Sequence, residues 1–133
     1  LKPGIHIISR DRAGLIAKSV GVAGNLLAGR LADGGIRAVE VTIDSPGAAA
    51  AIAGIAAAHG GRLCVGAGTV LDVAGAEAAL AAGARYLICP HTDPALVAVY
   101  AARGVPVLPG AFTASEAVAA WNAGAAEIGR AHV

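Results

Sequence analysis

Residues 36–67 read IRAVEVTI, DSPG, AAAAIAGIAAAH, GGR, LCVGA. A β-branched run from Ile36 to Ile43 passes through a Ser-Pro turn into an alanine-rich helical stretch from Ala48 to His59. A second short apolar run then spans Leu63 to Ala67. The same order repeats in both directions. Strand patterns fall at Ile5 to Ser9, Tyr86 to Cys89 and Val105 to Leu108, and helix patterns at Gly24 to Ala32, Val73 to Ala82, Pro94 to Arg103 and Ala114 to Ala123. Helix starts are marked by Ser45-Pro46, Asp72, Asp93-Pro94 and Thr113 with Glu116 three residues on. Helix ends are marked by Gly34, Gly60, Gly83, Gly104 and Gly124. Strict strand–helix alternation predicts an α/β fold with a parallel sheet, either a barrel or a doubly wound sheet. A dinucleotide-binding sheet would carry GxGxxG directly after its first strand, where this chain has Arg10-Asp11-Arg12-Ala13-Gly14. The expectation is therefore one domain over residues 1–133, an incomplete (β/α)8 TIM barrel of about the first five βα units, since a closed barrel needs roughly 250 residues.

Composition narrows the function. The chain is 56% hydrophobic and 14% charged, which excludes intrinsic disorder, and no apolar run reaches the ~18 residues of a membrane span. A net charge of +1 without a Lys/Arg cluster argues against nucleic-acid and membrane-surface partners. Cys64 and Cys89 stand alone in apolar segments, outside any CxxC or zinc-ligand spacing, and are expected as buried free thiols. Residues 1–12 show no secretory pattern, so a cytoplasmic location is expected; the absence of Met implies a trimmed, processed or incomplete start.

Side chains alternate along a strand, so Val39, Val41 and Ile43 share one face and Ala38, Glu40 and Thr42 the other. Parallel strands are normally apolar on both faces, which makes Glu40 anomalous. The plain reading is a Glu paired with an arginine such as Arg10, or one placed at the exposed strand end; the functional one is an acid/base at the carboxyl-terminal mouth of a barrel. Gly66-Ala67-Gly68-Thr69 removes side chains where a ligand or another backbone comes near, or simply makes a tight turn, and would leave Thr69 offering a hydroxyl and an amide. Pro90 and Pro109 re-aim strand exits. His91, alone on a loop, reads first as a surface residue.

Glu40-Val41-Thr42, Val65-Gly66-Ala67-Gly68-Thr69-Val70-Leu71, Ala82-Gly83-Ala84, Cys89-Pro90-His91 and Val107-Leu108-Pro109-Gly110 resemble, in order and spacing, the 2-keto-3-deoxy-6-phosphogluconate / 4-hydroxy-2-oxoglutarate aldolase family. The resemblance covers about Ile36 to Gly124. It implies a (β/α)8 barrel, a homotrimer at full length, no metal or other cofactor, and a lysine on the sixth strand that forms a Schiff base with a 2-keto acid. It further implies Glu40 as general acid/base, Thr69 at the pyruvate carboxylate, Pro90 lining the same pocket, and Arg10 meeting an anionic substrate. The implied reaction is cleavage of a 2-keto-3-deoxy-6-phospho sugar acid or 4-hydroxy-2-oxoglutarate to pyruvate plus glyceraldehyde 3-phosphate or glyoxylate. Two departures stand out: Asp44 replaces an arginine common in the family, and Lys18 to Leu27 reads as an insertion.

After Ala125 the family continues through a strand of the type Val-Lys-Xaa-Phe-Pro-Ala, whereas this chain reads Glu127-Ile128-Gly129-Arg130-Ala131-His132-Val133. A common sequencing adapter encodes that heptapeptide in one frame, so residues 127–133 are expected to be a non-native tail and the chain itself an inactive fragment. Two other readings stay open. One is a different phosphate-handling TIM-barrel enzyme, similar to thiamine-phosphate synthases or sugar-phosphate epimerases; the other is a noncatalytic half-barrel.

Overall fold

A computed structural model describes residues 5–7 and 22–130. In chain order these form β1 (Ile5–Ile7), α1 (Val22–Asp33), β2 (Ala38–Thr42), α2 (Ala48–His59), β3 (Cys64–Gly68), α3 (Val73–Ala81), β4 (Leu87–Cys89), α4 (Pro94–Ala102), β5 (Val107–Ala111), α5 (Ala114–Asn122) and β6 (Gly129–Arg130). The strands lie in one sheet in sequential order from β1 to β6, and every pairing from β2 to β6 is parallel. A doubly wound sheet would reverse its strand order partway; this one never does, which makes it an open part of a barrel.

The strand faces divide as the alternation requires. Val39, Val41, Val65, Ala67, Leu87 and Val107 are fully buried in a core shared with Ile52, Ile55, Ala76, Leu96 and Val97 of the helices. Ala38, Glu40, Gly66, Ile88 and Leu108 lie on the opposite face, in register across the strands. Helices α3, α4 and α5 start on side-chain caps. Asp72 accepts from the Gly75 amide, Asp93 accepts from Ala95 and Leu96 with Pro94 in the first turn, and Thr113 with Glu116 closes a reciprocal capping box. Tyr100 of α4 is fully buried and donates to Glu77 Oε1 of α3 at 2.8 Å, while Arg103 pairs with the same carboxylate and stacks 4.9 Å from the Tyr100 ring.

Four expectations need correction. Strand β1 runs antiparallel to β2, with Ile5 opposite Val41 and Ile7 opposite Val39. A period-two apolar pattern is unchanged when a strand is reversed, so alternation could not set its direction. Ser45-Pro46 does not cap α2; the N-cap is Gly47, left-handed at φ 83° and without a side-chain hydrogen bond, because the turn runs two residues further. Gly60 ends α2 in the right-handed region, and the left-handed residue after α1 is Gly35 rather than Gly34; only Gly83, Gly104 and Gly124 take the expected positive φ. Cys89 is buried, but Cys64 is only half-buried, since its side chain lies on the open inner face.

The stretch Lys18 to Leu27 enters the fold from residue 22 onward as the first half of α1. Helix α1 then packs on α2, where His59 Nε2 lies 2.9 Å from the Asn25 carbonyl oxygen. Residues 22–27 are thus part of the helical layer.

Candidate active site

The carboxyl-terminal ends of β2 to β5, with β6 on the open side, surround a cavity of about 370 Å³ lined by Glu40, Thr42, Thr69, Ile88, Pro90, Leu108, Gly110 and Arg130 among others. Glu40 reaches it from the inner face of β2 and is only 7% exposed. Burial pushes its carboxyl up to about 7, because the surrounding apolar walls penalise the charged form. A carboxyl that titrates near neutrality can both give and take a proton under physiological conditions.

Room for this acid comes from β3. A Cβ at Gly68 would lie 2.5 Å from Glu40 Oε1, so any larger residue there would displace the carboxylate. A Cβ at Gly66 would lie 2.2 Å from Tyr86 Cε2. The two glycines therefore clear space for two of the protein's own side chains.

Immediately after β3, Thr69 adopts φ 60°, the only positive-φ non-glycine among the described residues. For a β-branched residue this conformation costs roughly 1–3 kcal/mol. Its neighbours hold it there: the Gly68 carbonyl accepts from the Ile43 amide at 2.9 Å, and the Val70 amide donates to the Ile88 carbonyl at 3.1 Å. On the far wall, Thr92 Oγ1 donates to the Gly110 carbonyl at 2.9 Å and ties the exit of β4 to β5. Cys89 is unsuited to act as a nucleophile here, since burial, then the charge of Asp93, push its thiol up to about 11.

Glu40, Thr69 and Pro90, singled out from sequence, thus share one cavity. Arg10 lies outside the described residues. Asp44 and His91 are exposed and do not line the cavity. Tyr86, which the sequence marks only as the start of a strand, lies with Ile88 on the inner face by alternation; its hydroxyl donates to the Val39 carbonyl at 2.6 Å. Arg130, read from sequence as part of a foreign tail, lines the open side. Among the described residues no group of three or more His, Cys, Asp or Glu side chains is placed to hold a metal ion, and no helix is long and apolar enough to cross a membrane.

A sequentially wound parallel sheet with a buried acid and a glycine-cleared pocket at its carboxyl-terminal mouth is the class of arrangement in which (β/α)8 barrels keep their sites. A family model described as KDPG and KHG aldolase matches residues 18–129, and the chain belongs to that family. The match begins at Lys18, so it takes in the stretch that reads from sequence as an insertion. The 2-dehydro-3-deoxy-phosphogluconate aldolase of Treponema pallidum (strain Nichols) is 46% identical over 90 residues, covering 68% of this chain and 42% of the relative. A solved structure described as native KDPGal superimposes with a TM-score of 0.74 at 30% identity, over 82% of this chain and 53% of the other. KDPG aldolase from Legionella pneumophila, captured with pyruvate as a covalent carbinolamine intermediate, gives a TM-score of 0.69 at 27% identity, over 80% and 52%. The chain spans about half the length of the curated relatives it matches.

Proposed function

We propose that this chain is part of a class I aldolase, a lyase that cleaves a 2-keto-3-deoxy-6-phospho sugar acid or 4-hydroxy-2-oxoglutarate to pyruvate and an aldehyde through an imine. The observation that carries the reading is Glu40, a buried carboxyl poised near neutrality beside Thr69 and Pro90 in a member of this family. Covalent capture of pyruvate by the Legionella relative supports the imine chemistry. In the proposed cycle the protonated Glu40 gives its proton to the departing carbinolamine hydroxyl, releasing water as the iminium forms. The carboxylate then takes the proton of the substrate's C4 hydroxyl as the C3–C4 bond breaks, its electron pair passing into the iminium to leave an enamine and the free aldehyde. Return of that proton to C3 gives the pyruvate iminium, which water hydrolyses.

Thr69 is assigned to the keto-acid carboxylate, Pro90 to the wall beside it, and Arg10 to an anionic group of the substrate. The described residues contain no lysine; the imine-forming amine is assigned to the parent protein's sixth strand. We assign the parent a cytoplasmic, homotrimeric form on the family resemblance. Residues 127–133 are assigned as foreign sequence, which re-amplifying and sequencing the coding DNA tests; a clean read that retains this heptapeptide overturns it. The test of function is borohydride reduction of the parent protein with labelled pyruvate. A covalent adduct on a lysine is expected, with the present chain alone remaining unlabelled. Absence of an adduct on the parent, with turnover intact, would leave the aldolase reading without support and favour another phosphate-handling barrel.

A further inference from the structure

Below the site, at the amino-terminal ends of the strands, lies a second and larger cavity of about 830 Å³, bordered by Ala38, Cys64, Tyr86, Pro106 and Leu108. Leu108 borders both cavities, whereas Glu40 faces only the upper one and Tyr86 only the lower one. The Tyr86 ring crosses from β4 over β3, resting where Gly66 leaves no side chain, and its hydroxyl reaches the Val39 carbonyl on β2 at 2.6 Å. Gly66 stands directly opposite Glu40 in the sheet register, and Val39 precedes Glu40 in the chain. The ring is buried and spans three strands immediately beneath the acid.

We propose that Tyr86 is a positioning residue, a floor across the barrel interior that keeps water in the lower cavity from reaching the Glu40 carboxyl and fixes its place in the upper one. This deepens the reading of Glu40 as the proton carrier and rests on it for its catalytic meaning. The physical argument is desolvation. An aromatic ring wedged into a glycine-cleared slot replaces several waters that would otherwise solvate the carboxylate, and a hydroxyl satisfied by a backbone carbonyl has no reason to swing toward it. The coupling is visible in the phenol itself, whose ionisation is pushed up by burial first and then by the charges of Glu40 and Cys64. The other titratable groups around the carboxyl are Cys64 on β3, Cys89 on β4, and Glu127 and Arg130 at the open side; in backbone register His6 of β1 stands opposite Glu40.

The experiment follows the side-chain carboxyl carbons of the chain by ¹³C NMR from pH 4 to 9; the four glutamates, Glu40, Glu77, Glu116 and Glu127, make assignment by single Gln substitutions direct. Tyr86→Phe keeps the ring and is expected to leave the Glu40 midpoint near 7. Tyr86→Ala joins the two cavities and is expected to lower it by a unit or more, and Tyr86→Leu, which fills part of the slot, to lower it by an intermediate amount. An unchanged midpoint in either of the last two overturns the proposal, as does a fall in the Phe variant as large as in the Ala variant. Because the readout is the titration of one carboxyl, it is independent of whether the parent protein forms a pyruvate adduct.

Discussion

Glu40 gives the fold a measurable signature. Its carboxyl titrates at about 7 in the folded chain, against an ordinary value of 4.5 once unfolded. Between those values the folded state holds a proton that the unfolded state has released, so stability falls as pH rises through that window and levels off above 7. The full difference is on the order of 3 kcal/mol. Glu40→Gln carries no titrating proton and is expected to be more stable than the parent sequence at pH 8, with little difference at pH 5. Urea midpoints at the two pH values check this, and a Gln variant that keeps the parent's pH slope would show that another group is responsible. Alternation in β2 makes this acid legible in the sequence, since a carboxylate on the inner face of a parallel strand is out of place chemically. The part played by Tyr86 is not legible there, because an aromatic in a buried strand has an ordinary explanation; only its crossing over Gly66 separates it from core packing.

Among the elements, the helices are the most legible in the sequence. Predicted and observed bounds agree for α2 and differ by a residue for α3, α4 and α5. The reason is local chemistry: Asp72, Asp93 and Thr113 each satisfy amides at a helix start that have no other partner. At α5 the box is complete, with the Phe112 and Thr113 amides donating to Glu116 Oε2 at 2.9 and 2.8 Å, which holds that carboxyl below its usual range. Thr113→Ala removes the hydroxyl that accepts from the Glu116 amide and is expected to cost about 1 kcal/mol, read as a lower urea midpoint without a change in slope. Strands were less legible. Their bounds shifted by one to three residues, and β1 reversed direction, because pairing is settled by neighbours distant in sequence.

At the scale of the whole molecule, the sheet is unevenly supported. β2 is paired on both sides and covered by α2, whereas β6 contributes two exposed residues paired only to β5 among the described strands. Hydrogen exchange should therefore be slowest in the amides of β2 and β3 and fastest among the strands in β6; mass-spectrometric exchange that finds β6 as protected as β3 would contradict this.

The close approach of Gly68 to Glu40 couples the two positions. A methyl group at 68 and a full-length glutamate at 40 compete for the same space, 2.5 Å apart. An alanine at 68 would press on Oε1 at the free end of the Glu40 side chain, so the acid would swing aside while the backbone of β3 stayed in place. A change at position 68 is thus felt first in the placement of the acid at position 40.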